Sequence, residues 1–372
     1  MLLFLFLINL LIVNRTKSIF VAVAGVINLL FFVEVIFVDF FFGMDFSPKS
    51  ILFSERERAL SIVLTITLLF LYFFTRREYD LQKIRFNNYG FLLNLLVFMT
   101  VVLFVYYNMY QRYGGIGNFK EFSEYRSPIQ DYILIFLIYV VLLFSNKYFA
   151  VVNLILMAIC FLAIGERFRM VTALIPLMLV FFRFSAAHVK LLAIPAYVFA
   201  ILIDNLRSSS DGVMYHISHF GSVVISSMKF EGFIDELSTG EKMEYYYNLY
   251  IGNFIPSILL NEYDIRKVGV DVLDVPGGGY YVYISYLLGG VIGFLFFIFF
   301  ILTVVNFIQS ISYSNYKNTL SVIPIIFFIS WPKFLMYSPY LLTRFSVIFI
   351  LISLILIVFF GNKGGLKWST RN

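Results

Sequence analysis

The chain has 372 residues, 61% of them hydrophobic and 20% aromatic, with 13% charged and a formal net charge of +6. A soluble globular chain carries about 25% charged residues, so this composition argues against any water-soluble fold, which would have to hide the excess Phe, Leu and Ile. The apolar runs are continuous rather than alternating, which excludes an outer-membrane barrel, and backbone in lipid must be satisfied within its own segment, which predicts α-helices.

In chain order, about 11 segments approach the roughly 20 apolar residues that a membrane crossing needs. They are Leu2–Val13, Ile19–Phe42, Ala59–Phe74, Phe91–Tyr107, Tyr132–Phe144, Phe149–Ile164, Val171–Phe184, Val189–Ile203, Tyr281–Val305, Leu320–Phe334 and Phe345–Phe360. The expectation is an all-α, polytopic integral membrane protein with about 10–12 transmembrane helices, forming a single membrane domain over 1–372. The first segment lacks a basic start and a small-residue cleavage site, so it reads as an uncleaved span rather than a signal peptide. No internal repeat or low-complexity tract interrupts the series.

One polar stretch does interrupt it. Residues 204–280, Asp204 to Tyr280, separate the eighth apolar segment from the ninth. A channel or a simple anchor rarely needs so large a loop, whereas a membrane enzyme that folds a cover over its site does. Orientation follows from the basic residues. With the C-terminus inside, the inside connections hold Arg15 and Lys17, then Arg76, Arg77, Lys83 and Arg85, then Lys147, Arg183, Lys190 and Lys317, and last Lys363, Lys367 and Arg371. Only Glu78 and Asp80 accompany them, and long loops are left out of the positive-inside count. This topology puts the large loop outside.

The turn Gly165-Glu166-Arg167-Phe168-Arg169-Met170 then joins two spans on the outer face, where cations are disfavoured. Arg344 opens the last segment from the same side, with Lys333 nearby. Arginines at helix ends commonly snorkel to the interface, and Glu166 could pair with Arg169 three residues on. The alternative is a phosphate or diphosphate site, which a guanidinium fork grips bidentately. In the large loop stand Arg207, His216 and His219, then Arg266 and Lys267, then Asp271, Asp274 and the run Pro276-Gly277-Gly278-Gly279-Tyr280-Tyr281. That glycine run is either a close backbone approach to a ligand or an ordinary loop-to-helix transition.

His216 and His219 lack an obvious third ligand, so no metal is expected. Tyr245, Tyr246, Tyr247 and Tyr250 read as an interfacial helix, with sugar stacking as the alternative. Glu34 and Asp39 lie toward the outer end of the second segment and are candidates as intramembrane acids. Gly114-Gly115-Ile116-Gly117 lacks the strand–helix context of a nucleotide fingerprint, no Walker motif is present, and no nucleic-acid partner is expected. Cys160 stands alone, which excludes an internal disulfide.

The outside GERFRM turn, the large late loop and its exit through PGGGYYVYISYLLGGVIG together resemble the bacterial O-antigen polymerases, the Wzy-type oligosaccharide repeat-unit polymerases of the inner membrane. The resemblance implies a glycosyltransferase on the periplasmic face, in lipopolysaccharide biosynthesis. It would move a growing glycan from undecaprenyl diphosphate onto an incoming lipid-linked repeat unit, with no cofactor. It implies roles for periplasmic arginines, which Arg167, Arg169, Arg266 and Arg344 fit. It alone implies a chain-length regulator as partner, besides the lipid-linked oligosaccharide and membrane lipids.

In that reaction, cations would stabilise charge developing on the departing diphosphate. This assigns Arg167 and Arg169 to catalysis, with Asp271, Asp274 or His216 as the base that takes the acceptor proton. Arg266, Lys267, Arg344, Gly278, Tyr280 and Tyr281 are the expected substrate-binding residues. Three rivals share parts of this layout. A lipid-linked oligosaccharide flippase would have short loops and charges lining a central cavity. An O-antigen ligase would carry a characteristic loop histidine, and neither His216 nor His219 sits in such a motif. A membrane O-acyltransferase would place histidine or arginine on early spans, whereas His188, His216 and His219 all come late.

Overall fold

The structure is a computed structural model that describes residues 1–41, 50–82, 84, 86, 89–113, 128–164, 167–195, 198, 227, 229–250, 280–313 and 322–336. The described chain is all-α apart from two two-residue strands. Its helices are α1 (Leu2–Arg15), α2 (Ile19–Phe41), α3 (Ser50–Phe74), α4 (Phe91–Tyr113), α5 (Pro128–Phe144), α6 (Lys147–Ala163), α7 (Arg167–Phe181), α8 (Ala186–Pro195), α9 (Thr239–Tyr250), α10 (Tyr281–Tyr313) and α11 (Ile323–Met336). Nine of the eleven apolar segments read from the sequence thus fall on helices; Val189–Ile203 falls on α8 as far as Pro195, with most of its remainder outside the described residues, and Phe345–Phe360 lies outside them altogether.

Among the described residues, two helices are long and apolar enough to cross a membrane, Phe91–Gln111 within α4 and Tyr281–Ser310 within α10. Only 28% and 39% of their most apolar windows are buried inside the protein, so most of that apolar surface faces outward. The shorter apolar helices present the same kind of face, with Leu3, Phe4, Phe73, Ile159 and Leu191 exposed.

Buried polar side chains stitch the helices together. Asn9 of α1 donates to Thr65 Oγ1 of α3 at 2.8 Å, and Asn28 of α2 donates to Asn9 Oδ1 at 3.1 Å and to the Leu64 carbonyl at 3.0 Å. Thr65 returns its own hydroxyl proton to the Ser61 carbonyl. Each member of the triad is thereby used, as an apolar surrounding requires.

At one end of the bundle the connections interlock. Strand β1 (Lys17–Ser18) pairs in parallel with β2 (Glu78–Tyr79), and Leu81 exchanges both backbone hydrogen bonds with Phe184. Lys17 is salt-bridged to Glu78, and Arg183 to Asp80 at 2.8 Å. The Lys17 ammonium holds the Glu78 carboxyl below its usual range, and Glu78 raises the Lys17 ammonium in turn. Lys190 of α8 donates to the Asn14 and Thr16 carbonyls at the end of α1. The Gln309 amide of α10 joins the same end, accepting from the Arg76 amide and donating to Ser18 Oγ. The Asn146 amide donates to Asn94 Oδ1 and Lys147 lies over the Phe181 ring, which brings the starts of α4 and α6 beside the end of α7. The connections carrying Arg15, Lys17, Arg76, Arg77, Lys147, Arg183 and Lys190 therefore share one end, the basic end.

The longest helix, α10, is broken at Gly290, whose φ of 60° and ψ of −148° fall where only glycine sits without strain. A Cβ there would meet nothing within 4 Å, so a substitution isolates backbone strain from packing. Gly290→Ala is expected to destabilise the fold by roughly 1–3 kcal/mol, read as a lower thermal unfolding midpoint of the purified chain. An unchanged midpoint would show that the break does not depend on glycine.

Candidate functional site

At the end opposite the basic connections, α7 begins on Arg167, so Arg167 and Arg169 share its first turn. Arg169 turns inward rather than snorkelling to the surface. It is 1% exposed, its Nη1 donates to Gln130 Oε1 of α5 at 2.9 Å, and its guanidinium lies 5.9 Å from the Phe161 ring centre of α6. Three helices thus hold one cation, by a neutral amide and an aromatic face. Burying a charge is costly unless it is hydrogen-bonded or paired, and the amide and ring meet part of that cost. The side chain of Arg167 and the whole of Glu166 lie outside the described residues.

The Asp204–Tyr280 stretch contributes a second cluster at this end. Ser238 and Glu241 form a capping box: the Glu241 carboxylate accepts from the Ser238 amide at 2.9 Å and from its hydroxyl at 2.6 Å, which starts α9. These hydrogen bonds hold the Glu241 carboxyl below its usual range. Helix α9 then lays its tyrosines on the glycines of α10. The Tyr246 ring sits where a Cβ on Gly289 or Gly293 would come within 3.0 Å of it, and Tyr250 crosses the Phe296 ring edge to face at 4.9 Å. Tyr250 donates to Ser285 Oγ at 2.6 Å because Ser285 spends its own proton on the Gly293 carbonyl at 2.9 Å. Burial pushes the Tyr250 hydroxyl far above its ordinary range, so it stays neutral in this chain of donors.

A short helix over 229–235 docks beside α9, with the Tyr283 hydroxyl donating to Glu231 Oε2 at 2.7 Å and the Tyr280 amide donating to Ser227 Oγ at 2.9 Å. Part of the polar stretch therefore clasps the first turns of α10. Tyr280 and Tyr281 are buried in that clasp, with the Tyr280 ring edge-on to Phe31 of α2. As placed, both pack at the re-entry of the chain into α10. Tyr245, Tyr246 and Tyr250 likewise serve packing, whereas Tyr247 is exposed and remains open to sugar stacking.

The structure places Arg167 and Arg169 in the first turn of one helix. Asp271, Asp274, His216, His219, Arg266, Lys267, Arg344 and Gly278 lie outside the described residues, as do the side chains of Glu34 and Asp39. Gln130 and Phe161, which fix Arg169, were not singled out from the sequence, because Gln130 precedes the apolar segment read there and Phe161 is one of many apolar residues in its own. The same holds for Glu231 and Ser285, whose roles emerge only when 227–250 folds onto α10. Among the described residues no group of three or more His, Cys, Asp or Glu stands close enough to hold a metal. No family model matches the chain, and neither a curated protein nor a solved structure matches it.

Gln130→Leu keeps the volume and removes the acceptor, leaving a buried guanidinium without that hydrogen bond. The expected loss is about 1.5–3 kcal/mol, measured by denaturant unfolding, while Gln130→Glu retains stability. Equal stability of the leucine variant would mean that the amide does not help carry the charge.

Proposed function

We propose that this chain is a polytopic inner-membrane glycosyltransferase that joins undecaprenyl-diphosphate-linked oligosaccharide repeat units on the periplasmic face, an O-antigen polymerase. The observation that carries the reading is Arg169: a cation withdrawn from solvent at the end opposite the basic connections, gripped by Gln130 and Phe161. A chain this poor in charge keeps an arginine among apolar helices at a standing energetic cost, which is the usual mark of a functional group in a membrane segment. The outward-facing apolar surface of α4, α10 and the shorter helices supports the membrane setting. The gathering of the basic connections at one end supports their cytoplasmic placement, and hence the periplasmic placement of Arg169.

The chemistry follows from the leaving group. A lipid diphosphate departs with two phosphates' worth of negative charge, and a preorganised guanidinium in a low-dielectric site stabilises that charge more than water would. Arg169 is fixed in advance by its helices, so it reorganises little as charge develops, and Arg167 on the same turn supplies the second cation. The acceptor hydroxyl is held by positioning and gives its proton to a base, for which Asp271, Asp274 and His216 stand as the proposed choices. The clasp of 227–250 on α10 would hold the outer loop over this region.

Arg169→Ala, expressed in a strain whose own copy is deleted, is expected to abolish long O-chains on lipopolysaccharide gels while the protein remains in the membrane fraction. Arg169→Lys is expected to restore little, because an ammonium lacks the bidentate fork. Full-length ladders from the alanine variant would remove Arg169 from the mechanism.

A further inference from the structure

The basic end contains a cleft of about 260 Å³ lined by Arg15, Lys17, Arg76 and Arg77 together with Thr16, Ser18, Val21, Tyr72 and Glu78. We propose that this cleft binds the phosphate of an anionic phospholipid headgroup in the cytoplasmic leaflet, a site separate from the Arg169 region and resting on the membrane reading above. Its volume lies just under the roughly 300–1,000 Å³ of small-molecule pockets, the scale of a headgroup rather than of a whole lipid. Four cations line it against one acid, and that acid is engaged with Lys17.

Two helix C-termini, those of α1 at Arg15 and α3 at Phe74, meet at the cleft. One cation at each would complement their dipoles. Four exceed that need. The lining also supplies hydroxyl donors of the kind phosphate oxygens accept from, in Thr16, Ser18 and Tyr72. A lipid source is favoured over soluble phosphate by what surrounds the opening. Phe73 and Phe74 follow Tyr72 at the end of α3 and are 69% and 61% exposed. Their faces give an acyl chain an apolar path away from the cations, and juxtamembrane basic clusters are the usual readers of anionic leaflets.

The full-length chain, reconstituted in phosphatidylcholine nanodiscs doped with phosphatidylglycerol, tests this by native mass spectrometry of retained lipid. The wild-type chain is expected to retain phosphatidylglycerol over phosphatidylcholine, and the Arg15→Ala/Arg77→Ala double variant to lose about tenfold of that preference. Glu78→Gln, which releases Lys17, is expected to strengthen retention and guards against a folding defect in the double variant. Excess inorganic phosphate that displaces the lipid and raises the unfolding midpoint of wild type in pure phosphatidylcholine discs would assign the cleft to soluble phosphate and overturn the lipid source. Equal retention by wild type, the double variant and Glu78→Gln overturns the site itself. Release of the chain from membranes by alkaline carbonate would instead overturn the membrane reading beneath both proposals.

Discussion

The hydrogen-bonded junction at the basic end is the constraint on which the rest of the described architecture depends. Residues 16–18, 75–82 and 182–190 come from three separate connections, yet backbone pairs, two salt bridges and the Gln309 amide bind them into one layer. Such connections between apolar helices leave backbone donors and acceptors at the edge of an apolar region, where each needs a partner. Pairing them with one another sets the ends of α1, α2, α3, α7, α8 and α10 at a common level. The opposite ends of α5, α6 and α7 are brought together by a different device, the buried cation Arg169.

That difference has a chemical consequence. Polar contacts at the basic end are plentiful and partly exposed, and the salt bridges there contribute modestly. At the Arg169 end the guanidinium is withdrawn from solvent, and a polar group in so low a dielectric has a larger electrostatic effect. The α9–α10 contact follows the same logic. Across the break in α10, Ser285 donates to the Gly293 carbonyl while Tyr250 supplies Ser285 with a donor. Gly293 admits this arrangement because a Cβ there would come within 2.4 Å of the Ser285 carbonyl oxygen.

Helix positions were legible in the sequence because apolar runs leave few other options. Phe91 and Tyr281 were read as helix starts and are helix starts, whereas α3 and α5 extend further toward their N-termini, through polar residues such as Glu55 and Gln130 that hydropathy alone would not include. The two short strands were not foreseen, since a two-residue pairing has no periodicity to read. The paired arginines of the GERFRM turn were legible as an anomaly of charge placement. The inward turn of Arg169 was not, because it depends on Gln130, distant in sequence, and on Phe161 of the preceding helix, which meet it only after α5, α6 and α7 pack. The tyrosine run was read as a helix, and α9 is one. Its role as packing for Gly289 and Gly293 required the fold.

The central claim is that the chain extends a lipid-linked glycan at the Arg169 end. Its most direct test is a lipopolysaccharide gel from a strain with this gene deleted. The account predicts core carrying a single repeat unit with the ladder gone. Bare core, with lipid-linked glycan accumulating, would contradict it: a polymerised periplasmic pool would mark a ligase, and a cytoplasmic pool a flippase.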